Sequence, residues 1–322
     1  MRRFESPKWA ANLIAAGRLQ LGENVLVLVD EPLAEQGSEL AAAVNDAGGN
    51  PELVLWAGTR PLTGPPPAVA TAAERADLCI FISQEPRRDE AGARIALNDI
   101  IRAHGGREIY SGLVDAELLE RELSKAVPDL TEPATSLLTQ LQGSREVRVR
   151  GRAGTDLTLA VAGRTWETDA TPIEAGGFNN YPNGEVYIAP LEDSAEGVLA
   201  ADLAVPYTVE GLVDEAVVLR FAGGRVQSIE GGRAAEMLQE LVDEAGPTGR
   251  VIAELGIGFN PTISPWGHVL FDEKAAGTAH VAIGNNSGQY GGTNVSSIHV
   301  DCVFSEPVIE ADGKPVVLPA AA

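Results

Sequence analysis

Cysteine, basic residues and long apolar runs are all scarce in this sequence. Its 322 residues include only Cys79 and Cys302, too few for a disulfide framework or a thiolate zinc cage. Each lies in an apolar run, LCIFIS and HVDCVF, and reads as a buried free thiol. Lys and Arg number 24 against 46 Asp and Glu, for a formal net charge of −22. A surface this acidic repels phosphate, so neither nucleic acid nor an anionic membrane is an expected partner. No run reaches the roughly 18 apolar residues of a spanning helix. Arg2 and Arg3 are not followed by the apolar stretch of a secretory signal, so a cytoplasmic location is expected. A glycine-rich dinucleotide turn, a Walker loop, a GxSxG elbow, an HExxH helix and a CxxC pair are all missing. Nucleotide binding, elbow-type serine hydrolysis and the commonest zinc-protease layout therefore have no support.

What is present divides near Gly143. Before it, strand-like runs alternate with helical ones. Val25–Asp30, Leu53–Trp56, Leu78–Ser83 and Glu108–Tyr110 are β-rich. Ala34–Ala47, Ala68–Ala76, Ala91–Ala103 and Asp115–Leu141 are helical, the last broken by Pro128 and Pro133. Alternation of this kind predicts a small parallel sheet with helices on both faces, an α/β domain over residues 1–143. After Gly143 the pattern becomes hairpin-like. Val147–Arg150, Asp156–Val161 and Thr165–Glu167 read as antiparallel strands, and Gly223-Gly224 sits between Val217–Phe221 and Val226–Ile229. One helix, Ala234–Ala245, is followed by strands at Val251–Leu255, Ala279–Ile283 and Ser297–Phe304 and a closing hairpin at Val308–Val317. Residues 144–322 are thus expected to form an α+β domain of mostly antiparallel strands. Acidity is spread over both halves, at −8 and −14, so neither is a basic binding module.

Three of the four histidines fall between His268 and His299. In the strand Ile298–Phe304, alternation puts Ile298, Val300, Cys302 and Phe304 on one face and His299 with Asp301 on the other. An imidazole and a carboxylate side by side on a rigid strand make half of a divalent-metal site. The stretch 275–300 holds no Lys, Arg, Asp or Glu and five glycines. It places His280 in a strand ahead of a loop able to bring its backbone close to a ligand. Glu254 and Glu185 are single charges in apolar strands, where a carboxylate is costly unless it meets a cation or several donors. His104 fits a helix end; His268, close in sequence to the site, fits a structural role better than lining it, and Trp266 fits either shaping the pocket or packing. Lys274 is placed to meet substrate or to pair with Glu273.

Four segments then resemble one family in the same order. Asn180–Pro190 (NYPNGEVYIAP) resembles the N-x-P-x-G-E-V-F-x-x-P segment of the aminopeptidase T-like metallopeptidases. Ala253–Gly258 resembles their next carboxylate segment, Phe271–Gly284 their D-E-K-x-x-G-T-x-H-x-A-x-G block, and Ile298–Asp301 their closing I-H-x-D. The resemblance implies a dimeric aminopeptidase with two divalent ions per chain (Zn, Co or Mn), acting on small peptides. It assigns Glu185, Glu254, His280, His299 and Asp301 as metal ligands, with one of the glutamates doubling as general base. It also implies a site tyrosine a few residues after His280; the nearest here is Tyr290, ten positions on, inside the glycine-rich loop.

The same family resemblance extends to Fe(II) dioxygenases that open the ring of 2,5-dihydroxypyridine. In that alternative His280, His299 and Asp301 form a 2-His-1-carboxylate triad on one iron. A non-catalytic, metal-stabilised binding protein is the third reading. Retention of all five candidate ligands points to the hydrolase.

Overall fold

In a computed structural model, residues 6–126, 128–170 and 172–320 are described. Arg2 and Arg3 lie outside the described residues. The chain separates into two compact units, Met1–Val127 with Thr171–Asn183 and Pro128–Ala170 with Gly184–Ala322. Relative to a division at Gly143, the Thr131–Leu141 helix belongs with the second unit and residues 171–183 return to the first. No described helix is long and apolar enough to cross a membrane.

The first unit is the expected α/β layer. Asn24–Val29, Asn50–Leu55, Leu78–Ser83, Arg107–Gly112 and Phe178–Asn180 form one sheet whose pairs are all parallel. Leu78–Ser83 lies inside the sheet and is buried at every position. Helices on the faces leave no polar side, so its sequence is a continuous apolar run. Helices Ala34–Asp46, Pro67–Ala73 and Ala91–Arg102 start within a few residues of their expected positions. The Lys8–Ala16 helix and the Phe178–Asn180 strand had no clear sequence signal. The latter is three residues long and reaches the sheet from a distant part of the chain.

The second unit holds two antiparallel sheets around one core, as the α+β pattern predicts. Seven strands form the larger sheet, in spatial order Arg225–Glu230, Val217–Ala222, Glu196–Ala201, Asp156–Ala160, Glu146–Arg150, Val308–Ala311 and Lys314–Pro315. The Gly223-Gly224 turn joins the first two. Both glycines have positive φ, and a Cβ at Gly224 would fall 1.9 Å from the Glu192 carbonyl oxygen, so only glycine fits there. The smaller sheet runs His299–Ser305, Thr278–Gly284, Ile252–Gly258, Glu185–Ile188 and Glu167–Thr168. Its inner face, including Val186, Leu255, Ile257, Val281, Val300, Cys302 and Phe304, joins Val147, Leu157, Leu199 and Leu219 of the larger sheet in a single apolar cluster. Thr131–Leu141 and Arg233–Ala245 add their apolar stripes through Leu137, Leu141, Leu238 and Val242.

Candidate metal centre

The other face of the smaller sheet carries the chemistry. Strand register decides this, because residues directly opposite each other point to the same side. Gly258 pairs Glu185, Gly256 pairs both Tyr187 and His280, Ala282 pairs both Glu254 and Asp301, and Gly284 pairs His299. Glu185, Glu254, His280, His299 and Asp301 thus share one face with Tyr187. Apolar alternation on the inner face fixes the register, so the same core residues that hold the sheet aim these five side chains together.

The distances are those of a cluster. Glu254 divides its carboxylate: Oε1 lies 3.5 Å from His280 Nε2 and Oε2 lies 3.3 Å from His299 Nε2. His299 Nε2 is also 3.2 Å from Asp301, and His280 Nε2 is 3.5 Å from Glu185 Oε2. Three overlapping sets bring one donor atom per residue within 4.8 Å of each other: Glu185, Glu254 and His280; Glu254, His299 and Asp301; Glu273, His280 and Asp301.

Supporting contacts orient these groups. His299 Nδ1 lies 2.7 Å from the Asn285 carbonyl oxygen. Donating there leaves Nε2 facing the carboxylates, the usual arrangement around a ligating imidazole. This is the contribution of the glycine-rich loop, through a carbonyl and not through N–H donors. Asp169 Oδ1 accepts from the Gly184 and Glu185 backbone N–H groups at 2.8 and 3.0 Å. Lys274, fully buried, bonds Glu185 Oε1 and lies 3.0 Å from Glu273 and 3.4 Å from Asp169. Gly256 is required by the packing, since a Cβ there would sit 2.0 Å from His280 Cε1.

Burial works against charge throughout, and the neighbours decide each outcome. Burial pushes Glu185 up despite Lys274 beside it. At Glu254 burial is outweighed by hydrogen bonds from His280 and His299, which hold it below the usual carboxylate range. Asp301 is held well down in the same way by His299. Burial would lower both imidazoles, but Glu254 and its neighbours push His280 up to about 9, and Tyr290, Asp301 and Glu254 push His299 well above its ordinary value. Burial, together with Glu254 and Glu185, pushes Tyr187 upward. The field on this face therefore favours positive charge.

Of the sequence candidates, all five ligand candidates meet here. Tyr290 is beside them, its ring stacked on His299 at 4.6 Å and 12°. His268 packs in a cluster with Trp266 and Phe271, and His104 lies 2.9 and 3.1 Å from two backbone carbonyls. Asp169 and Tyr187 were not singled out from the sequence, and Glu273 was named only as a partner for Lys274. Strand parity two residues after Glu185 could have found Tyr187, and the D-E-K block could have found Glu273. Asp169 had no sequence signal.

The family model for thermophilic metalloprotease (M29) matches residues 127–318, more than half of the chain, and the chain belongs to that family. It is similar to aminopeptidase T of Thermus aquaticus, 32% identical over 186 residues that cover 50% of this chain and 43% of that protein. It is also similar to 2,5-dihydroxypyridine 5,6-dioxygenase of Pseudomonas putida, 27% identical over 194 residues, 56% of this chain and 55% of that one. The chain thus matches about half the length of these relatives. In three dimensions the structure of 2,5-dihydroxypyridine dioxygenase from Pseudomonas putida KT2440 is alike, with a TM-score of 0.77 over 98% of this chain and 95% of that chain at 21% identity. That likeness establishes the fold. Membership of a metalloprotease family implies a divalent metal, and the donors fit one. They are carboxylates and imidazoles, the buried Glu185 Oε2 has no hydrogen-bond partner among the described residues, and the field favours cations.

Proposed function

We propose that this chain is a metal-dependent aminopeptidase or related amide hydrolase using two divalent ions, Zn, Co or Mn. The observation that supports this reading is the divided carboxylate of Glu254, one oxygen toward His280 and the other toward His299. A carboxylate so placed can serve two ions at once. Charge agrees. Among the described residues, Asp169, Glu185, Glu254, Glu273 and Asp301 gather around one lysine, Lys274, so carboxylates outnumber fixed cations here, as a site for divalent ions requires.

Glu185 Oε2, Glu254, His280 and His299 Nε2, and Asp301 would hold the metal. When bound, such ions polarise a carbonyl and make water acidic enough to attack at neutral pH. The protein's own groups supply the rest. Glu185 keeps Oε1 on Lys274, which leaves Oε2 to face the metal position. Lys274 stays charged and steadies that carboxylate. Tyr290 covers His299 and forms an aromatic wall. The acidic face attracts a peptide's N-terminal ammonium, which suits removal of terminal residues from small peptides.

The alternative, ring opening by one Fe(II), would draw on His280, His299 and Asp301. Those three do not fall in one close set among the described residues, which weighs against it. The test is to load the protein separately with Zn, Co, Mn and Fe(II), then measure amino-acid release from peptides and oxygen uptake with 2,5-dihydroxypyridine. Peptide turnover without oxygen uptake is expected. Iron-dependent oxygen uptake without peptide turnover would overturn the reading.

A further inference from the structure

Tyr187 has no role in the scheme above, yet its position is unusual. It follows Glu185 by two residues on the Glu185–Ile188 strand, so both project from the same face. Across the sheet Tyr187 pairs with Gly256, which pairs with His280. The three form one row, and because its middle member has no side chain the His280 ring lies over Gly256, in the position next to Tyr187 across the sheet. The Tyr187 ring lies 6.5 Å from Tyr290 at 70°, and Tyr290 in turn stacks on His299. Among the described residues, no hydrogen bond engages the Tyr187 hydroxyl. Unlike Tyr290, which sits in the 285–297 loop, Tyr187 is held on a strand paired on both sides.

We propose that Tyr187 is a catalytic residue of this site, its phenol O–H donating a hydrogen bond to the substrate oxygen on which negative charge gathers as the amide is attacked. The inference rests on the hydrolase reading. No proton changes owner in this step. A donor preset on a rigid strand needs no reorganisation as the charge develops, the condition under which such donors contribute most.

The test uses the full chain loaded with metal, unaltered and as Tyr187→Phe and Tyr290→Phe. A phosphonic-acid dipeptide analogue, a tetrahedral anion, serves as the probe in calorimetry, and elemental analysis follows metal content. Tyr187→Phe is expected to weaken the analogue about 10- to 100-fold and to lower kcat by a similar factor. Metal content and KM should stay within about twofold of the unaltered chain on the same argument. Unchanged analogue affinity in Tyr187→Phe overturns the proposal. So does loss of its metal, or a loss of affinity confined to Tyr290→Phe, or an unaltered chain that does not bind the analogue. Tyrosine-dependent analogue binding without peptide turnover supports the Tyr187 contact and overturns the hydrolase reading alone.

Discussion

Replacing Gly256 by alanine should abolish the metal centre without touching any proposed ligand. A Cβ at this position would lie 2.0 Å from His280 Cε1 and 2.2 Å from its Nε2. The strand backbone cannot retreat, because Ile252–Gly258 is paired on both sides and every position in it is buried. The imidazole must therefore move by at least about 1 Å to reach an ordinary contact, whereas functional groups must hold to about 0.5 Å. With metal–nitrogen bonds of about 2 Å, such a shift removes His280 from coordination. Losing one well-placed ligand should weaken divalent-ion binding by about 100-fold or more, about 2.7 kcal/mol at 1.36 kcal/mol per tenfold. The assay is competition with a chelating dye, with circular dichroism to confirm the fold. If folded Gly256→Ala binds metal as tightly as the unaltered chain, His280 is not a ligand and the geometry assigned to this face is wrong.

Further predictions concern the groups around the site and in the first unit. Lys274→Met leaves Glu185, Glu273 and Asp169 buried without their shared cation, and should cost about 3 kcal/mol or more in chemical denaturation. Glu192 accepts from the Thr293 N–H and hydroxyl and from Asn286. Glu192→Ala should therefore speed hydrogen exchange at Thr293 by more than tenfold, and unchanged protection would show that the loop is held otherwise. Glu108 is buried and desolvation pushes it up to about 7. Its folded pKa exceeds its unfolded one, so the fold binds the extra proton and loses stability as pH rises from about 4.5 to about 7, by up to about 3 kcal/mol. Glu108→Gln should thus be more stable than the unaltered chain at pH 8 and about equal at pH 4; equal stability at both would refute the buried-carboxylate argument.

Much of the site was legible because strands print their faces in sequence. Alternation alone put His299 and Asp301 on one side of a strand and Val300 and Cys302 on the other, and the inner residues are indeed core. Single carboxylates at Glu185 and Glu254 stood out against apolar flanks for the same reason. What was not legible depends on contacts far apart along the chain. Asp169 reads as an ordinary loop residue until its oxygen is seen on the Gly184 and Glu185 amides. Lys274 could have faced substrate or Glu273, and only the folded sheet shows it on Glu185 as well. The Glu196–Ala201 strand holds a single β-branched residue, Val198, and an interior glycine, yet pairs on both sides because its neighbours supply the ladder. The Phe178–Asn180 strand is too short for any periodicity to register.

In the proposed centre, five side chains on one sheet face hold two ions through a shared Glu254. Counting metal ions per chain in reconstituted protein, unaltered and as Glu254→Ala and His299→Ala, tests it most directly. Two ions per unaltered chain and fewer in each folded variant are predicted. A full complement retained by both variants, or no metal bound by the unaltered chain, would contradict it.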